Sequence, residues 1–123
     1  MAKRILIVED EPKNLKMVSD LLRRFSYEVI SAQDGEQGIQ SARTEMPNLI
    51  LMDIMLPRMD GLEATRILKS DPDTKHIPVV ALTAYAMKGD MERTLEAGCD
   101  GYIAKPIDIK ELLKTVKQFL HDG

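Results

Sequence analysis

The chain has 123 residues, 44% of them hydrophobic and 30% charged, with a formal net charge of -3. These values fit one globular domain, residues 1–123, and exclude the basic footprint that nucleic acid or an anionic membrane surface requires. A lone cysteine, Cys99, excludes an internal disulfide and a thiolate-based structural zinc site, and reads as a small buried hydrophobe in a reducing compartment.

The first apolar run, Ile5 to Val8, is too short for a signal-peptide core or a membrane span. The protein is therefore expected in the cytoplasm, and the run itself predicts a strand buried on both faces. Pro12 suits the first turn of a helix, whose apolar positions are Leu15, Val18, Leu22 and Phe25. Glu28 to Ala32 is a shorter strand. Asp34-Gly35 punctuates, and a helix carrying Ile39, Ala42 and Met46 ends before Pro47. Leu49 to Met52 is the next buried strand, and Pro57 and Gly61 bracket the loop before a helix over Leu62 to Lys69. After the Asp71-Pro72 turn comes a strand over Val79 to Leu82. A helix over Asp90 to Ala97 stops at Gly98, a good residue past a helix end. Tyr102 to Ala104 forms the last strand. Asp108 and Glu111 resemble a capping box, and Ile109, Leu112, Leu113, Val116 and Leu120 mark one face of the final helix. Strand and helix thus alternate five times, the pattern of an α/β fold: a doubly wound parallel sheet with helices on both faces.

In such sheets ligands bind beyond the carboxyl ends of the strands. The residues that close the strands here are Glu9-Asp10, Asp53, Thr83 and Lys105-Pro106, in that order. Asp53 interrupts the otherwise apolar stretch Leu49 to Leu56, where a lone buried carboxylate is costly unless compensated. Glu9, Asp10 and Asp53 should converge, and two like charges ~4 Å apart at an effective dielectric of ~20 repel by ~4 kcal/mol. Lys105 or a divalent cation could compensate, and oxygen donors of this kind suit Mg²⁺. Singly, each residue has a plainer role as a turn residue or helix cap. His76 and His121 read as solvated. The ordered coincidence at four strand ends carries the weight.

The segments ILIVEDE, LILMDIMLPRMDG, VVALTAYAMKGD and GCDGYIAKPI follow one another at these strand ends. In order and at these spacings the chain resembles, from end to end, the receiver domain of two-component response regulators. The run LTAYAMKGD is similar to receivers of stand-alone cell-cycle regulators and of hybrid histidine kinases. The resemblance implies a flavodoxin-like five-stranded sheet in the order 2-1-3-4-5, flanked by five helices. It also implies that Asp53 accepts a phosphoryl group from a histidine kinase or a histidine phosphotransfer protein. Asp10, Asp53 and the Met55 backbone carbonyl would bind Mg²⁺, with Mn²⁺ a substitute, and Glu9 would reach the metal through water. Thr83 and Lys105 would hold phosphoryl oxygens, small Ala84 would leave that position open, and Pro106 would follow a cis peptide. Thr83 and Tyr85 would form the switch, changing the face of helix four, strand five and helix five for a downstream protein. Met87 and Met91 fill the core or belong to that face. Met17, with Asn14 and Met59, borders a surface for the kinase. The protein is then a phosphoacceptor signalling domain that assists its own phosphorylation and dephosphorylation, not an enzyme.

Three other readings stay open. A receiver excised from a hybrid histidine kinase would carry the same motifs. A Mg²⁺-dependent phosphatase with an Asp nucleophile would place a second Asp two residues on, where this chain has Met55. A flavodoxin-like cofactor binder would need phosphate-holding N–H groups after the first strand, where this chain has Glu9, Asp10 and Glu11.

Overall fold

The computed structural model describes residues 2–56, 59–83 and 88–120, with side chains in the last segment from residue 92 onward. Pro57, Ala84, Tyr85, Met87 and His121 lie outside the described residues, as does the Met91 side chain. Strand and helix alternate in the order β1 (Arg4–Val8), α1 (Pro12–Arg24), β2 (Glu28–Ala32), α2 (Gly35–Glu45), β3 (Leu49–Asp53), α3 (Gly61–Ser70), β4 (Val79–Thr83), α4 (Lys88–Glu96), β5 (Gly101–Ala104) and α5 (Ile109–Leu120). The strands form one parallel sheet ordered β2-β1-β3-β4-β5. In its centre Ile5 lies opposite both Val29 of β2 and Leu49 of β3, and Leu51 lies opposite Val80 of β4.

Strand side chains alternate between faces, so each strand feeds two cores. Leu6, Val8, Ile50, Met52 and Ala81 pack with Ile39 and Ala42 of α2 and Leu62 and Leu68 of α3. Ile5, Ile7, Leu49, Leu51 and Leu82 face the other way, onto Val18 and Leu22 of α1 and Leu112 and Val116 of α5. Both faces being covered explains why the strands read as unbroken apolar runs. Each fully buried Ile or Leu contributes roughly 1.5–3 kcal/mol relative to exposure. The right-handed crossover rule explains the split: the chain leaves β1 toward β2 and then reverses toward β3, which puts α1 and α2 on opposite faces. That reversal leaves a switch point between the ends of β1 and β3.

Polar residues set the helix ends. Pro12 stands in the first turn of α1, behind Glu11. Asp34 and Asp60 cap α2 and α3 by accepting from Gln37 N and Glu63 N, both at 2.8 Å. Asp108 Oδ1 accepts from Lys110 N at 2.8 Å and from Glu111 N at 3.4 Å at the start of α5. Gly98, at φ +102°, turns the chain after α4. Cys99 is buried beside Thr65, its sulfur 3.9 Å from the hydroxyl, and burial pushes its thiol pKa up.

Some expectations shift. Phe25 does not belong to the buried face of α1. It follows the last helical residue and is 46% exposed, with Lys117 Nζ 5.9 Å from its ring centroid. Met46 and Ile109 are exposed for the same reason: each sits at a helix end, past the cover of the sheet. The third and fourth strands run one residue further than the apolar run, so that Asp53 and Thr83 are strand residues. The fourth helix begins at Lys88, two residues before the expected start.

Candidate functional site

Sheet geometry delivers the site. Glu9 continues the β1 ladder, its amide donating to Ala32 O at 3.0 Å. Asp53, the last residue of β3, lies opposite Leu82 of β4. Lys105 follows β5, where its amide donates to Thr83 O at 2.7 Å. β5 is two strands from β3, about 10 Å at the usual strand spacing. Only a long side chain can cross the end of β4, and Lys105 does so: its Nζ is 3.1 Å from Asp53 Oδ2 and 3.1 Å from Glu9 Oε1. The Lys105-Pro106 peptide is cis.

The two carboxylates are deeply buried, Glu9 at 1% exposure and Asp53 at 3%. Asp10, beside Glu9, faces solvent. Asp53 Oδ1 accepts from Met55 N at 3.0 Å. Burial, with the Asp53 carboxylate adjacent, pushes the Glu9 pKa up to about 7 against the opposing pull of Lys105. Burial alone would lower the Lys105 pKa, but its bonds to Asp53 and Glu9 more than offset this and raise it.

Thr83 closes β4 and is buried at the same edge. Met55 is exposed. Gly61 starts α3 with its amide 2.9 Å from Ile54 O, and a Cβ on it would stand 2.1 Å from the Asp53 carbonyl oxygen. Only glycine permits that approach. Of the surface group suggested by the sequence, Met17 is exposed, whereas Asn14 and Met59 are half-buried.

A cation fits this donor set. One carboxylate oxygen from each of Glu9, Asp10 and Asp53 lies within 4.8 Å of the others. Among the described residues Glu9 Oε2 is buried without a hydrogen-bond partner, an uncompensated acceptor that a cation or its water would satisfy. Oxygen ligands alone suit Mg²⁺ better than zinc.

Three comparisons bear on this arrangement. The profile of the response regulator receiver domain matches residues 5–117. The chain belongs to that family. The receiver is 47% identical over 123 residues to the polar-differentiation response regulator DivK of Brucella anthropi, and the match covers 100% of both chains. Among solved structures it resembles the receiver domain of the sensor histidine kinase PA1611 from Pseudomonas aeruginosa PAO1, with TM-score 0.91 and 38% identity, covering 98% of each chain. That structure has a magnesium ion coordinated in its active-site cleft. The chemotaxis protein CheY4 of Vibrio cholerae is likewise similar, with TM-score 0.92 and 28% identity over 98% of this receiver and 100% of CheY4.

Sequence reasoning singled out Glu9, Asp10, Asp53 and Lys105, which the structure brings together, and missed the glycines that bring the backbones together. Gly35 and Gly61 each follow an Asp, a pairing that sequence alone reads as turn punctuation.

Proposed function

We propose that the receiver takes a phosphoryl group onto Asp53 from a histidine kinase or a histidine phosphotransfer protein. A carboxylate oxygen of Asp53 forms the new P–O bond. The P–N bond of the donor phosphohistidine breaks, and the released imidazole recovers a proton from solvent. The observation that carries this reading is the buried Asp53 carboxylate at the switch point, bonded to Lys105 and Met55 N and clustered with Glu9 and Asp10. Glu9, Asp10, Asp53 and the Met55 carbonyl would hold Mg²⁺, or Mn²⁺ in its place. Bound there, the ion would offset charge on the phosphoryl oxygens. Lys105 is within reach of one phosphoryl oxygen, and the Thr83 hydroxyl supplies a donor to another. These same groups would assist phosphorylation and hydrolysis of the acyl phosphate.

Phosphorylation then shifts a two-state equilibrium through Thr83 and Tyr85, presenting α4, β5 and α5 to a downstream protein. Exposed Leu95 and Ile109, on α4 and α5, support that face as the docking surface. A shift from 1:99 to 99:1 takes about 5.5 kcal/mol of differential interaction, within reach of several charge-assisted hydrogen bonds. The end-to-end match to DivK favours a stand-alone regulator, in cell polarity or differentiation, over a receiver excised from a hybrid kinase. No helix among the described residues is long and apolar enough to cross a membrane, in keeping with a cytoplasmic role.

Intact-mass measurement after incubation with acetyl phosphate tests the acceptor. One phosphoryl addition is expected, dependent on Mg²⁺ and lost in Asp53→Ala. Addition that persists in Asp53→Ala would move the acceptor elsewhere.

A further inference from the structure

The acidic residues stand at the ends of β1 and β3, and α2 packs on the last residue of β1 and on the loop that follows β3. A Cβ on Gly35, the first residue of α2, would stand 2.9 Å from the Met59 carbonyl oxygen and 3.2 Å from Met59 Cβ and Cγ. Met59 lies in the connection between β3 and α3 that also carries Met55. Three residues along α2, a Cβ on Gly38 would stand 2.8 Å from Val8 Cγ2. Val8 ends β1, immediately before Glu9 and Asp10. Positions three apart share one side of a helix, so the first turn of α2 meets both the strand that ends before Glu9 and the loop that carries Met55.

Helix propensity does not explain these glycines, because alanine is the better helix former. Backbone freedom does not explain them either: among the described glycines only Gly98 has positive φ. Close approach does. At Gly35 the obstacle is a backbone carbonyl, which cannot rotate away as a side-chain tip can.

We propose that Gly35 is a positioning residue for the metal site. By letting α2 seat against Met59, it sets where the Met55 carbonyl on that loop stands relative to the Glu9, Asp10 and Asp53 carboxylates at the strand ends. The proposal rests on the reading of this cluster as a Mg²⁺ site. An added methyl pushes the Met59 backbone outward and shifts the loop that carries the Met55 carbonyl, while the three carboxylates stay at their strand ends.

Calorimetric titration of Mg²⁺ into the folded chain tests this. Gly35→Ala, its fold checked by circular dichroism, should bind Mg²⁺ about tenfold more weakly, in the range seen when residues supporting metal ligands are altered. Phosphorylation by acetyl phosphate should fall at limiting Mg²⁺ and recover at saturating Mg²⁺, a split that general destabilisation would not produce. Wild-type Mg²⁺ affinity in Gly35→Ala overturns the positioning role. A wild-type chain that binds no Mg²⁺ overturns the metal reading itself. If Gly35→Ala does not fold, Met59→Gly instead removes the Met59 Cβ and Cγ that lie against Gly35 and so loosens the seat of the loop on α2, leaving the carbonyl contact in place. Weakened Mg²⁺ binding there supports the proposal, and undiminished binding rejects it.

Discussion

Lys105 bonds two buried carboxylates with one ammonium, and it does so from the end of β5, a strand that pairs with neither β1 nor β3. Replacing it by methionine keeps the length and removes the charge. Glu9 and Asp53 would then face each other uncompensated, the costly half of a broken buried ion pair. Without metal, Lys105→Met is expected to lose roughly 2 kcal/mol of stability, part of the cost being relieved by proton uptake at Glu9. Urea unfolding in a chelating buffer measures this, and excess Mg²⁺ should restore most of the loss. Equal stability of the two proteins without metal would show that the ammonium is not the compensating charge. The carboxylates were legible in sequence because each interrupts or ends an apolar run. Lys105 was legible as one candidate for the compensating charge; that its one ammonium bonds Glu9 and Asp53 together, across 96 and 52 residues, was not.

Among the elements, the strands were the most legible, because burial on both faces writes them as unbroken apolar runs. The helix ends were the least. Phe25, Met46 and Ile109 fit the helical period, yet period says nothing about where the sheet stops providing cover. The stop of α4 was readable, and its cause is now specific. Gly98 holds φ +102°, and a Cβ there would also stand 2.9 Å from Lys69 Cγ. Gly98→Ala is therefore expected to cost about 1–2 kcal/mol, chiefly as backbone strain. Chemical denaturation would detect this, and a change inside the error of the extrapolation would mean that the turn relaxes without strain.

At the scale of the whole molecule, the proposed function makes chemistry and recognition separable. A small phosphoryl donor would need only the cluster at the strand ends, whereas a protein donor would also rest on the surface around it. Met17 is exposed on α1, away from that helix's buried face of Val18 and Leu22. Met17→Glu is expected to slow transfer from the cognate histidine kinase about tenfold, as loss of a central apolar contact does. Its phosphorylation by acetyl phosphate should stay near wild type. Equal slowing with both donors would assign Met17 to the chemistry or to folding rather than to docking.

The order of strands and helices, the two-sided burial of the strands, and the polar residues at the sheet edge were all determined by the sequence itself. Each is a local property: hydrophobic period, capping chemistry, or one charge in an apolar run. Tertiary structure decided which of those residues meet. Strand order places β1 beside β3, and β5 two strands from β3. Lys105 therefore spans β4 to reach Asp53, Glu9 keeps an oxygen without a hydrogen-bond partner among the described residues, and Gly61 and Gly35 allow backbones to close in. These are distances between segments far apart in the chain, and close packing of the two cores sets them, a constraint that no local window of sequence contains.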